Sequence, residues 1–218
     1  MLTLYEDLYL LALDEEKGNL FSFARKSFAY PLAGAILAEL ALLGKLGVGE
    51  KLRMVLSDAS STGDPIFNGV IEQIRVSEKA RKPSYWVSKL SEEPKKLRQN
   101  VAERLVEKNV LVQDEKSFFR QELLSGSEST ILDKFQRKHE MRALILSNGE
   151  SNLRNLTLLE MIAAGGLLGL VFTQDELETA DQMIHKKFLT AALENPIMLL
   201  VEEIGQAVSS VQEDELDS

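Results

Sequence analysis

A basic stretch between residues 79 and 98 stands out from a chain that is acidic as a whole. Its cations are Lys79, Arg81, Lys82, Lys89, Lys95, Lys96 and Arg98, with Glu92 and Glu93 as the acidic residues between them. The complete chain has a formal net charge of −9. An acidic protein is a poor general binder of nucleic acid. No nucleic-acid partner is therefore expected, and any attraction to phosphate must come from a local patch.

Lys95 and Arg98 are placed to bind phosphate. They follow Pro94, which is typical of the first position of a helix, and a spacing of three puts both on one helix face. The free backbone N–H groups and positive end of the helix would add to their charge. Tyr85 and Trp86 nearby could anchor at a lipid interface. The residues alone favour the alternative, a solvated helix face with Trp86 in the core.

The residue types needed for several kinds of catalysis are missing. The chain has no cysteine, which excludes disulfides, thiolate zinc sites, iron–sulfur clusters and cysteine nucleophiles. His139 and His185 have no second histidine at helical spacing, so no metal site is predicted. Nucleophile-elbow, P-loop and dinucleotide fingerprints are also absent from the sequence. We expect a binding protein without catalytic residues or cofactor, and not an enzyme.

Apolar spacing predicts a mainly α fold with one short β-hairpin. Residues 1–211 should form a single domain and residues 212–218 an acidic tail. Helices are predicted over about 4–13, from 31 to 44, after 65, after 83, 95–108, 129–147, 152–172, 174–189 and 197–211. Short strands are predicted at 20–23 and 53–56, and the hairpin at 110–120.

Two features of these elements bear on the fold. The helix after Pro31 is apolar on nearly all sides and should be buried, with its one charged residue, Glu39, capping or pairing with a neighbour. The apolar run from Met161 to Phe172 is shorter than the ~20 residues that cross a bilayer. The N-terminus lacks the basic region of a signal peptide.

The order and spacing of four segments resemble the Golgi phosphoprotein 3 family. These are LTLYEDLYLLALDEEKGN near the start, LAGAILAELALLGKL, SDASSTGD and RLVEKNVL, and the similarity runs from Leu2 to about Leu189. The resemblance implies a mainly α-helical domain with buried central helices wrapped by amphipathic helices. It implies a peripheral membrane protein that recognises phosphatidylinositol 4-phosphate. It also implies a projecting hairpin used in membrane contact and self-association, here with Phe118 and Phe119.

The family's lipid pocket is only partly matched. Ungapped alignment of LAGAILAEL puts the pocket's tryptophan at Ala24 and one arginine at Ala33, so both are lost. Ungapped alignment of RLVEKNVL puts two later basic positions at Lys95 and Arg98, where both charges are kept. The resemblance therefore implies weaker and less selective headgroup binding.

Arg25 and Lys26 lie beside the missing tryptophan position and are candidates to replace part of the pocket's charge. The expected partner is an anionic membrane lipid, at the cytoplasmic face of a membrane. The absence of a long basic N-terminal extension leads us to expect a compact prokaryotic member. The alternative is a cytoplasmic interaction scaffold that binds protein partners, or forms a homo-oligomer through its hairpin, without binding lipid.

Overall fold

The fold is mainly α-helical, as predicted. The computed structural model describes residues 2–14, 17, 19–113, 119–120, 128–147 and 152–216. For residues 113, 119–120, 128–134 and 215–216 it describes the backbone alone.

Long helices form most of the described chain. They are α1 (Leu4–Ala12), α2 (Ala29–Leu42), α3 (Pro65–Arg75), α4 (Pro83–Ser91), α5 (Pro94–Glu107), α6 (Glu128–Leu146), α7 (Leu153–Ala164), α8 (Leu177–Glu194) and α9 (Pro196–Leu216). Short 3-10 helices occur at Glu50–Leu52, Leu168–Leu170 and Gln174–Glu176.

Three small antiparallel strand pairs connect the helices. They join β1 (Leu13–Asp14) to β2 (Asn19–Leu20), β3 (Leu46–Val48) to β4 (Met54–Leu56), and β5 (Val112–Gln113) to β6 (Phe119–Arg120). In the last pair, Val112 faces Arg120 and Gln113 faces Phe119. This pairing confirms the predicted hairpin strands.

Helices α1 and α2 form the centre of the molecule. All nine residues of α1 are buried, as are the residues of α2 from Ala29 to Ala41. Helices α4, α7 and α9 pack around α2, while α5 and α7 also contact α1. An all-round apolar surface is stable only when other elements cover it, which accounts for the predicted arrangement of buried helices inside amphipathic ones.

The start of α1 is held by two sets of polar contacts. The predicted capping box is present: the Thr3 hydroxyl accepts from the Glu6 N–H at 3.3 Å, and the Thr3 N–H donates to Glu6 at 2.8 Å. The Glu39 carboxylate of α2 accepts from the Leu4 N–H and pairs with the Arg154 guanidinium. The prediction that Glu39 pairs with a neighbour is confirmed.

Several predicted boundaries are wrong. Helix α2 starts two residues before Pro31, and the predicted strand 20–23 keeps only Leu20, because a turn begins after it. The helix predicted over 152–172 ends at Ala164, where Gly166 takes a φ of 67° that favours glycine. Helix α9 extends to Leu216 rather than 211. Within the described residues, no helix is long and apolar enough to cross a membrane.

The Glu39–Arg154 pair should carry much of the stability at the start of α1. In Arg154→Met, the largely buried Glu39 charge loses its cation, and the contacts of Arg154 with Asp7 and with the Leu2 carbonyl are lost as well. We therefore expect the free energy of unfolding to fall by about 3–5 kcal/mol. Urea denaturation measures this change. Arg75→Met is the matched control, since its pair with Glu72 is exposed and should contribute less than about 1 kcal/mol. Equal losses in the two variants would contradict the assignment.

A partly buried carboxyl group lies between α7, α8 and α9. The Glu160 side chain packs closely on Gly205. A Cβ atom added to Gly205 would lie 2.5 Å from a carboxylate oxygen of Glu160. Burial, followed by the nearby carboxylates of Glu202 and Asp181, raises the pKa of Glu160 to about 7. Below about pH 7, the folded protein therefore holds Glu160 mainly in its protonated form.

Glu160 should make the protein less stable as pH rises. Between pH 4.5 and 7 the unfolded chain has released this proton while the folded chain still holds it, so folding is progressively penalised. Glu160→Gln removes the penalty. We expect the variant to gain about 2 kcal/mol over the parent between pH 4.5 and 7.5, measured by denaturation at each pH. A pH-independent difference would contradict this.

Candidate functional site

Helix α5 begins at Pro94, as predicted, and carries Lys95 and Arg98 near its start. Pro94 occupies the first turn, and the N-cap residue Glu93 makes no side-chain cap to the helix. Lys95 is exposed and has no hydrogen bond or ion pair with any residue that the structure describes. Its ammonium group is therefore available to a ligand.

Arg98 is held by backbone carbonyl groups rather than by carboxylates. Its Nε donates to the Pro94 carbonyl at 3.1 Å, and its Nη1 donates to the Arg25 carbonyl at 2.9 Å. The second contact joins positions 73 residues apart in the chain. It fixes the turn at residues 21–28 against the start of α5, while no carboxylate of the described residues pairs with Arg98.

The same contact brings the other two predicted cations close to α5. Arg25 is exposed, and its guanidinium donates to the Leu20 carbonyl at 2.8 Å and to the Asn19 side chain. Lys26 is exposed and has no partner among the described side chains. We call Arg25, Lys26, Lys95 and Arg98 the cationic surface.

Other members of the basic stretch are paired locally. Lys89 contacts Glu92 at 2.7 Å, and Lys96 contacts Glu93 at 3.2 Å. Both pairs link residues three apart on exposed helix surfaces. The two glutamates of the stretch are thus engaged with these two lysines, and Lys95 stays unpaired between them.

The prediction favoured by the residues, Trp86 in the core, is confirmed, and the alternative of a membrane anchor is wrong. The Trp86 side chain is 3% exposed and belongs to the core. Tyr85 is exposed, but its ring packs edge-on against Trp86 at 5.2 Å and lies under the Arg81 guanidinium. The helix face that carries Trp86 points inward because α4 packs on α2 and α9.

Tyr9 lies close to Arg98 and was missed by the sequence analysis. Burial raises the pKa of Tyr9 to about 12, and the charge of Arg98 partly opposes this rise. The phenol therefore stays protonated beside the guanidinium at neutral pH. The sequence shows Tyr9 as an aromatic residue with a hydroxyl group within the apolar run of α1. It does not show which cation lies beside that residue.

Cavities in the described part of the structure are lined by both apolar and charged residues. One of about 450 Å³ lies between α3, α4 and α5, and its lining mixes Lys89, Lys96 and Arg104 with Glu103 and Glu107. Another, of about 520 Å³, lies along the end of α8. Neither lining includes a histidine. No group of three His, Asp or Glu side chains in the described part of the chain is placed to hold a metal ion.

Comparison with protein families decides the relationship. The family model of Golgi phosphoprotein 3 (GPP34) matches residues 4–200, which is most of the chain. The chain belongs to the Golgi phosphoprotein 3 family.

Two fungal proteins are similar to this family member. The vacuolar protein sorting-associated protein 74 of Schizosaccharomyces pombe is 33% identical over 136 residues, covering 54% of this chain and 40% of the relative. The protein of the same name from Eremothecium gossypii is 32% identical over 139 residues, covering 54% and 41%. The match thus spans about two fifths of each relative's length. Because both are eukaryotic, they give no support to the expectation of a prokaryotic member.

The two positions at which ungapped alignment predicts a loss of the family's pocket residues lie inside the fold. Ala24 and Ala33 are both 0% exposed. Neither side chain can add an aromatic wall or a cation to the cationic surface. Phe118 lies outside the described residues, as does the side chain of Phe119, so their predicted role in membrane contact stays a prediction.

Replacing Arg98 should loosen the turn that it holds. In Arg98→Met, the hydrogen bond to the Arg25 carbonyl is lost, and we expect amides in residues 22–28 to exchange about fivefold faster, as for one hydrogen bond of about 1 kcal/mol. Hydrogen–deuterium exchange with mass spectrometry measures this. Lys95→Met, which removes a neighbouring charge but no described contact, should leave the turn unchanged. Equal protection in both variants would show that Arg98 does not hold the turn.

Proposed function

We propose that this protein is a peripheral membrane-binding protein that captures an anionic lipid headgroup on the cationic surface. Its family points to phosphatidylinositol 4-phosphate as the headgroup, at the cytoplasmic face of a membrane. The protein acts by binding rather than by catalysis. A protein partner bound to this protein would be brought to the membrane with it.

The observation that carries the proposal is the pair of unpartnered lysines beside the Arg98–Arg25 contact. Lys26 and Lys95 are exposed and uncompensated within the described structure, although the chain as a whole carries a net charge of −9. A phosphate group bound there would gain charge-assisted hydrogen bonds. The N–H groups at the start of α5 point the same way and favour an anion further.

The composition of the site limits its selectivity. The alanines at 24 and 33 are buried, so the headgroup would be held mainly by flexible lysines and by an arginine already bonded to two carbonyls. Lysine acts as a point charge and sets less geometry than a bidentate arginine. We therefore expect binding to several anionic lipids, with phosphatidylinositol 4-phosphate preferred by its extra phosphate charge.

Charge reversal on the cationic surface should abolish binding. In the double variant Lys26→Glu with Lys95→Glu, neither change removes a contact within the described structure, and two attractions become repulsions. Each cation near an anionic membrane contributes about 1 kcal/mol, so we expect vesicle affinity to fall at least about 30-fold. Flotation with neutral vesicles, and with vesicles containing phosphatidylserine or phosphatidylinositol 4-phosphate, measures this loss and the preference.

The matched control is Lys51→Glu with Lys186→Glu, two exposed lysines outside the cationic surface whose reversal changes the net charge equally. It should keep most of the binding. Binding of the parent should weaken as salt rises, because screening acts within about 10 Å at 0.1 M ionic strength, and free inositol phosphate should compete. Equal binding by both double variants would refute the site. Self-association that persists at high salt without vesicle binding would favour the scaffold instead.

A further inference from the structure

An aromatic pair stands at the surface in the turn that precedes α2. Phe23 is 55% exposed, and its ring stacks on Phe21 with centroids 5.7 Å apart and an angle of 15° between the planes. Phe21 is partly buried against the hydrophobic core. The turn is closed by the Ala24 N–H, which donates to the Phe21 carbonyl at 3.0 Å. The exposed Phe23 ring is therefore supported by the partly buried Phe21 ring.

The position of Phe23 distinguishes it from other exposed apolar residues. Single exposed side chains are common and carry no meaning alone. Phe23, however, precedes Arg25 and Lys26 by two and three residues, and Arg98 binds the carbonyl of the same turn. A ring and a group of unneutralised cations thus share one short, anchored segment.

An anionic lipid surface matches this combination, because its headgroups can bind the cations and the apolar layer beneath them can bind the ring. Lysine and arginine reach the headgroups with their charged ends, while an aromatic ring is favoured just beneath them. Elements that lie in the interface bury their apolar side about 5–10 Å into the boundary with the acyl chains. An acidic polypeptide would satisfy the cations but offers no apolar layer at a fixed depth below its charges.

We propose that Phe23, supported by Phe21, inserts into the lipid surface while the cationic surface binds the headgroups. This inference rests on the proposed function and adds the apolar contact that anchors the protein. It requires only residues of the described structure, independently of the hairpin at 110–120. The turn would dock in the orientation that Arg98 imposes on it.

Tryptophan at position 23 reports insertion directly. We would compare Phe23→Trp with Leu193→Trp, whose parent leucine is 90% exposed, each corrected for the buried native Trp86. Vesicles of phosphatidylcholine, phosphatidylserine and phosphatidylinositol 4-phosphate would be prepared with and without brominated acyl chains. We expect the emission of Trp at 23 to shift to the blue and to be quenched by bromine, while Trp at 193 changes little.

The outcomes separate this inference from the function on which it rests. If Phe23→Trp floats with the vesicles but its emission is neither shifted nor quenched, insertion is refuted and headgroup binding stands. If neither variant nor the parent floats, both proposals fail. If polyglutamate shifts the emission and vesicles do not, the surface serves an acidic protein partner and insertion is refuted.

Affinity provides a second readout. Phe23→Ser should weaken vesicle binding about tenfold, which corresponds to about 1.4 kcal/mol, and Phe23→Leu should restore most of it. Thermal unfolding checks that both variants are folded, which is expected for a half-exposed ring. Unchanged vesicle affinity in folded Phe23→Ser would overturn the proposal.

Discussion

The burial of α1 is the constraint on which the rest of the structure depends. A helix with every residue inside must satisfy its polar groups with partners from other elements, because unpaired buried charges are costly. Four successive residues at its start contact different elements. The Leu4 N–H donates to Glu39 of α2, and the Tyr5 hydroxyl donates to Asp64 at the start of α3. Glu6 pairs with Lys108 after α5, and Asp7 pairs with Arg137 of α6 and Arg154 of α7. These contacts fix several helices relative to one axis.

The same contacts position the cationic surface. Glu6 meets Lys108 at 2.6 Å beyond the C-terminal end of α5, and Asp64 lies 3.5 Å from Arg104 one turn earlier. At the other end of α5, Arg98 lies near the phenol of Tyr9, which also belongs to α1. Helix α5 thus packs against α1, with interactions near both of its ends. The stack of buried polar contacts sets where Lys95 and Arg98 face, although it does not touch a ligand itself.

Local signals predicted the elements well and their long-range contacts poorly. The capping box at Thr3, the start of α5 at Pro94 and the pairing of Glu39 follow from neighbouring residue types and from the cost of burying a charge. The contact of Arg98 with the Arg25 carbonyl could not be predicted, because it depends on how two segments 73 residues apart pack. The residues favoured an inward Trp86, which the structure confirms, but they did not identify the helices that cover it, because periodicity identifies an apolar face and not its neighbours.

The ion pairs that stabilise the fold involve different residues from the exposed lysines that are proposed to bind an anion. Buried carboxylates such as Glu39 have arginine partners, and their loss should destabilise the fold. Exposed pairs such as Lys89 with Glu92 contribute little, because water already solvates both charges. Leaving Lys26 and Lys95 unpaired therefore costs almost no stability, while an internal partner at either position would compete with an incoming phosphate. Free cations on a rigidly held helix start are what an anion-binding surface requires, and the fold supplies them without weakening its core.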